Sequence, residues 1–224
     1  RNSFNNVPIH WIAPNSYIKQ RLGKSPVVSS IHKISSVFLG VDKERYSFVD
    51  QNIARKKHNL PSGKKIILFG CFDISDVRKG GLRLKEVLKN HLDSQTKEKS
   101  CLVTFGTLND FSFDNLGIDW IHLNQISTDT EMNYLYRSAD LLVSPSLDDL
   151  GPAIVVEAFM NNLPIVAFDL GVAKDVIVNG LNGYLVECFN KEEFGLSIAN
   201  SILNNANDFM KNSLNREEII KLLP

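Results

Sequence analysis

The sequence predicts an α/β fold, a doubly wound, Rossmann-like parallel sheet, on three observations. Short continuous apolar runs recur at residues 66–69, 101–105, 141–143 and 164–169, as expected of strands buried on both faces rather than one. Segments of helical spacing separate them, for example Leu82, Leu84, Val87, Leu88 and Leu92, and strands alternating with helices build parallel sheets. Residues 139–171, ADLLVSPSLDDLGPAIVVEAFMNNLPIVAFDLG, show the unit entire: strand, loop, helix, strand. In such sheets the loops at the carboxyl ends of the strands are where ligands bind.

Composition narrows the function classes. The chain has 224 residues, 43% of them hydrophobic, enough for one large domain or one domain plus part of another. Lys plus Arg and Asp plus Glu stand at 25 each, so no global basic field points to nucleic acid. The three cysteines, Cys71, Cys101 and Cys188, form neither a paired zinc motif nor an even-numbered disulfide framework, which fits a reducing cytoplasm. No apolar run is long enough to span a bilayer, and the first residues lack the cationic and apolar regions of a signal peptide. The opening Arg1-Asn2-Ser3, without methionine, reads as a fragment or processed chain.

In chain order, residues 9–13 read as a strand, 16–24 as a helix begun after Asn15, and 34–39 as a strand, which is one βαβ piece. Gly40-Val41-Asp42 by itself favours an ordinary turn. Residues 43–58 suit a charged surface helix that ends before Pro61-Ser62-Gly63. The strand at 66–69 runs into Gly70 and a loop over 71–77. Strands follow at 101–105, closed by Gly106, and at 118–123. A helix over 130–138 puts Met132, Leu135 and Tyr136 on one face, so Tyr134 and Tyr136 read as packing residues, and His122 as a satisfied core histidine. Gly171 precedes a short helix. Asn179-Gly180 and Asn182-Gly183 bracket a tight turn into a strand at 184–186. Asn190 caps a helix over 191–203, and 216–223 forms a terminal one. No internal repeat is visible.

Two stretches carry chemistry. Arg78-Lys79-Gly80-Gly81 opens a helix, where outward-facing amides and the helix dipole attract anions, so a diphosphate could be held there without a metal. By themselves the same residues favour a solvated charged turn. Gly151-Pro152 opens the second helix, with proline suited to its first position. Asp149 precedes it and Glu157 lies within it among Val155, Val156, Ala158 and Phe159, where a carboxylate needs partners. Taken alone, Asp149 is as well read as a helix cap and Glu157 as a residue on a solvent edge.

An acidic residue, seven others and Glu, then an Ala-containing helix, a proline and a strand, resemble the donor-site signature of retaining GT-B glycosyltransferases of family four. Asp149 and Glu157 occupy its two acidic positions, although the family more often has the longer Glu at the first. The resemblance runs on through roughly residues 40–205. Lys79 matches the lysine of the family's Lys-Gly helix start, which contacts the donor diphosphate. The arginine the family places after the strand's glycine is here Cys71, so either Arg78 substitutes or Lys79 and backbone amides act alone. Residues 125–129, with Ile126, fall where the family's loop receives the nucleotide base. Gly171 and Asp175 remain of a Gly-Gly-x-Pro-Glu turn near the donor sugar, and Gly183-Tyr184-Leu185-Val186 resembles its Gly-x-Leu-Val strand. Residues 38–42 are similar to the interdomain crossing.

The resemblance implies the C-terminal half of a GT-B fold. Residues 1–41 would be the tail of an N-terminal, acceptor-side domain with the crossing, 42–205 the nucleotide-sugar-binding domain, and 206–224 a helical tail, with most of the N-terminal domain absent. It implies retaining transfer of a sugar from a nucleotide diphosphate sugar to a glycan or lipid-linked glycan. Asp149 and Lys79 would be catalytic, and Arg78, Lys79, Ile126, Asp149 and Glu157 would hold the donor. Neither a metal nor another cofactor is expected, and this chain alone should bind donor but transfer poorly. The setting implied is cytoplasmic, with peripheral association of the full-length protein at the inner face of the membrane. Two other classes stay open: a sugar-nucleotide epimerase of GT-B architecture, and a binding module without chemistry, for which Cys71 is the motivating residue. A nicotinamide-binding domain ranks lower, because no strand is followed by GxGxxG.

Overall fold

A computed structural model describes residues 7–28, 30, 32–38 and 45–204. The chain begins with β1 (His10–Ala13), α1 (Ser16–Gly23) and β2 (Lys33–Ser36), and β1 pairs with β2 in parallel, His10 opposite Lys33. After α2 (Gln51–Lys57) come β3 (Lys65–Asp73), α3 (Gly81–Asn90), α4 (Ser94–Lys99), β4 (Ser100–Thr107), β5 (Asp119–Leu123) and α5 (Asp129–Ser138). The remainder is β6 (Leu141–Ser144), α6 (Ala153–Met160), β7 (Ile165–Phe168), α7 (Ala173–Val176), β8 (Gly183–Val186) and α8 (Lys191–Leu203). Strands β3 to β8 form one six-stranded sheet in the order β5-β4-β3-β6-β7-β8, all parallel.

Burial on both faces explains the continuous apolar strands. Ile66 and Leu68 of β3 enter a core with Val155, Ala158 and Phe159 of α6 and Leu135 and Tyr136 of α5. Their neighbours Ile67 and Phe69 point the other way, into a core with Leu84, Val87 and Leu88 of α3 and Phe194, Ile198 and Ile202 of α8. Successive side chains of a strand alternate sides. A strand covered by helices on both faces therefore cannot carry the polar alternation of a half-exposed one.

Several element boundaries differ from the sequence expectation. The helix expected over 43–58 is α2 alone, because the Asp50 carboxylate accepts from the amides of Asn52 (2.9 Å) and Ile53 (3.2 Å) and fixes its start. Residues 43 and 44 lie outside the described residues, as do the crossing at 39–42, the tail at 206–224 and the helix expected over 216–223. The unanticipated α4 starts at a similar cap, Thr96 N donating to Asp93 Oδ1 at 2.8 Å. Strand β4 continues through Gly106 rather than closing there. None of the described helices is long and apolar enough to cross a membrane.

A buried ion pair ties α2 to the sheet. Arg55 reaches Asp140 Oδ2 at 2.5 Å, with both side chains under a tenth exposed. Its other nitrogens donate to the carbonyls of Ser138, Pro61, Ser62 and Lys64. Asp140 also accepts from the amide of Ile66, the second residue of β3 (2.7 Å). A buried charge is tolerated when its lone pairs are met in this way.

Candidate functional site

The strand order reverses beside β3. From β3 the chain moves outward to β4 and β5, then returns to lay β6 on the other side of β3. Connections after β3 and β6 therefore leave in opposite directions and open a crevice at the carboxyl ends of those two strands, where sheets of this kind bind ligands.

The two loops at this crevice are pressed together. After β3, a single 3₁₀ turn, Val77–Lys79, is capped by Asp76, whose carboxylate accepts from Arg78 N. Gly80 follows in the left-handed region, φ 78°, and a Cβ there would overlap the carbonyl oxygen of Pro145 in the β6–α6 loop. The amide of Leu147 donates to the carbonyl of Arg78 at 2.8 Å. A glycine is required because it combines positive φ with this close approach.

This approach brings two of the predicted residues, Lys79 and Asp149, together. Lys79 Nζ donates to Asp149 Oδ2 at 2.6 Å, with 30% and 12% of the two side chains exposed. The other Asp149 oxygen accepts from Gly151 N at 3.1 Å. Asp149 thus organises the turn before α6 rather than capping the helix. Pro152 sits at the cap position instead of the first helical one, and no side chain caps α6. Val155 N already donates to the Pro152 carbonyl (3.0 Å), and with no side-chain cap the amides before it are those that can meet an anion.

Between Lys79 and that helix end lies a cleft of about 160 Å³, lined by Gly70, Cys71, Lys79, Ser146, Ala153 and Ile154 among others. It joins one ammonium, the positive end of α6 and a serine hydroxyl. Cys71, at the position where a second cation was expected, lines the same cleft. Burial pushes its thiol up to about 11 against the opposing pull of the Lys79 ammonium, so at neutral pH it contributes no charge. Arg78 is 68% exposed and turned toward Asp76, 2.7 Å from Oδ2. This hydrogen-bonded pairing raises the guanidinium above its ordinary range and lowers the Asp76 carboxyl.

Glu157 lies four residues beyond Ala153, one turn along the same face of α6, and makes a contact of its own. The Tyr136 hydroxyl donates to Glu157 Oε2 at 2.6 Å. Tyr136 is 1% exposed, so it packs as expected, and its hydroxyl gives the half-buried Glu157 carboxylate a buried partner. Ile126, in the loop after β5, is partly buried and packs against the same core. Lys79 and Asp149 are thus in contact and Lys79 lines the cleft. Glu157 instead lies a helical turn along α6 from the lining residue Ala153, Ile126 packs in the core, exposed Arg78 is held by Asp76, and none of these three lines the cleft.

Other expectations resolve locally. His122 Nδ1 lies 3.0 Å from Thr104 Oγ1, as a satisfied histidine should. Asp175 accepts from the amide of Ser16 at the start of α1 (2.8 Å), and Asn15 donates to the carbonyl of Leu150. The N-terminal βαβ piece therefore abuts the loop that carries Asp149. Neither contact had a sequence signal, since each joins residues more than a hundred positions apart. Among the described residues, no group of three or more His, Cys, Asp or Glu is placed to hold a metal ion.

Residues 50–216, well over half the chain, match the family described as Glycosyl transferases group 1. The chain belongs to this family. Solved structures of similar fold include sucrose-phosphate synthase from Thermosynechococcus elongatus, at 20% identity and a TM-score of 0.73, covering 96% of this chain and 54% of that one. The C-terminal domain of LpcC, a glycosyl transferase group 1 family protein from Francisella tularensis, aligns over 81% of this chain and 97% of its own at 20% identity, TM-score 0.64. HepE from Anabaena, in complex with UDP-glucose, aligns over 94% and 60% at 16% identity, TM-score 0.67. At these identities the likeness is one of fold, the Rossmann-like lobe of a GT-B protein, and the chain spans little more than half of the first of these proteins. No curated protein matches the chain significantly in sequence.

Proposed function

We propose that the chain carries the donor site of a retaining glycosyltransferase of family four, transferring a sugar from a nucleotide diphosphate sugar to a glycan or lipid-linked glycan at the cytoplasmic face of a membrane. The observation that carries this reading is the convergence of Lys79 and Asp149, from loops after β3 and β6, on the crevice where the strand order reverses. Family membership supports it, as does the UDP-glucose bound by the Anabaena protein of the same fold.

In this reading the diphosphate lies between Lys79 and the first turn of α6. The bond from the anomeric carbon to the diphosphate breaks with its electron pair on the phosphate oxygen, the acceptor hydroxyl oxygen bonds to that carbon on the same face while its proton passes to the departing phosphate, and the ammonium and helix amides stabilise the growing charge. Donor binding exchanges the Lys79–Asp149 ion pair for a Lys79–diphosphate one and frees Asp149 toward the sugar. Glu157 accepts from ribose hydroxyls, the loop at Ile126 receives the base, and Arg78 approaches the diphosphate from the rim. No metal takes part.

Calorimetric titration with UDP, GDP and ADP tests the site. Lys79→Ala should weaken the best-bound nucleotide by roughly tenfold or more, as expected for a charge-assisted contact, and Glu157→Ala should weaken it with the fold intact by circular dichroism. Unchanged affinity in both variants would remove the assignment. The neutral Cys71 favours a second reading, a binding module without transfer. Nucleotide affinity in the intact protein with no consumption of labelled donor, with or without acceptor glycans, would select it.

A further inference from the structure

Tyr136, 1% exposed, reaches the candidate site through Glu157 alone, and nothing in the proposed reaction employs it. Its ring is buried in the core against α6, and its hydroxyl donates to Glu157 Oε2 at 2.6 Å. Burial first, and then the adjacent Glu157 carboxylate, raise the phenol well above its ordinary value of 10. The hydroxyl therefore remains a donor across the whole working range of pH. The backbone of Glu157 is held as well: its carbonyl accepts from Asn161 N (3.1 Å) and from Asn161 Nδ2 (3.0 Å).

We propose that Tyr136 is a positioning residue that sets the nucleotide's sugar specificity by fixing the Glu157 carboxylate. With Oε2 occupied by a phenol that itself cannot turn away, Oε1 is left as the oxygen available to a ligand. A carboxylate with one oxygen anchored presents the other in one place, so its bond to a hydroxyl costs less ordering on binding. A site built around a fixed acceptor discriminates against a ligand that lacks the hydroxyl, because the acceptor is then left unpaired. The ligand class selected is a ribonucleoside diphosphate over its deoxy counterpart. This rests on the reading of Glu157 as the ribose contact.

The test compares the best-bound of UDP, GDP and ADP with its 2′-deoxy and 3′-deoxy forms, by calorimetry, on the full chain and on Tyr136→Phe. The unaltered chain should prefer the ribonucleotide over at least one deoxy form by about tenfold, the size expected for a hydrogen bond to a charged group. Tyr136→Phe should reduce that preference to about threefold or less, mainly by weakening the ribonucleotide. A purely packing role would leave the ratio unchanged, and an unchanged ratio in folded Tyr136→Phe overturns the proposal. Glu157→Ala separates the two levels: if it does not weaken the ribonucleotide, the reading of the site has failed, whereas a loss there with no change of ratio in Tyr136→Phe defeats the positioning role alone. Should Tyr136→Phe fail to fold, proton NMR of the unaltered chain decides. A protected tyrosine hydroxyl resonance should move on adding the ribonucleotide and move less with the deoxy form that has lost affinity; equal movement overturns the proposal.

Discussion

At the scale of single residues, the site is a set of charges whose partners are chosen by the fold. Asp149 is short for its position, yet it reaches Lys79 at 2.6 Å because the two loops are in contact. Asp149→Asn should leave the fold intact and weaken the hold on Lys79. Its expected outcome is donor turnover reduced more than nucleoside diphosphate affinity, checked by comparing labelled-sugar transfer in the intact protein with calorimetry. His122 and His58 give a pH signature. Burial lowers both below the ordinary value of 6.5, so the folded state binds fewer protons than the unfolded one between those two values. Their contribution is complete above pH 6.5 and is lost as the pH falls through the folded values. Thermal unfolding midpoints should therefore decline from pH 7.5 to 5.5, and His122→Gln should flatten part of that decline.

At the scale of elements, caps and close approaches decide where each piece begins and what it presents. Gly80 joins the turn carrying Lys79 to α3 at positive φ against the Pro145 carbonyl. Gly80→Ala should cost on the order of 1–3 kcal/mol, from the strained backbone and the displaced loop together. It should also weaken nucleotide binding, seen as a lower denaturant midpoint alongside a poorer titration. Asp140→Ala should be costlier, about 3–5 kcal/mol, because it strands the buried Arg55 guanidinium, and it should do so without altering the cleft lining. The elements were legible where local chemistry writes them. The α8 helix begins at Lys191 behind its Asn190 cap as expected, with Asn190 Oδ1 accepting from Glu193 N at 3.1 Å. The helix over 43–58 was overextended because helical residues alone do not mark a start; the Asp50 cap does, and its two amide contacts are a matter of backbone geometry.

At the scale of the molecule, the central strand β3 shares hydrogen bonds with both β4 and β6 and is buried on both faces. The β1–β2 pair is a two-stranded sheet, marginal by itself, and the start of α1 beside it is tied to the β6–α6 loop by Asn15 to Leu150 and to α7 by Ser16 to Asp175. Amide hydrogen exchange should accordingly show the highest protection in β3, β4 and β6 and markedly lower protection in β1 and β2. Leu68→Ala, which empties a wholly buried position of β3, should cost about 2–5 kcal/mol.

By itself the sequence determined the class of the fold and most strands and helices, because apolar period, turn residues and spacing are local properties of the chain, and a family resemblance singled out the acidic and basic positions from which a donor site is proposed. Only the tertiary structure decided which of those positions meet. Lys79 and Asp149 stand 70 residues apart and Tyr136 and Glu157 stand 21 apart, and no local rule fixes a distance between them. The reversal of strand order beside β3, with Gly80 closing the gap between its two loops, supplies that distance, and helix packing brings the Tyr136 hydroxyl onto the Glu157 carboxylate.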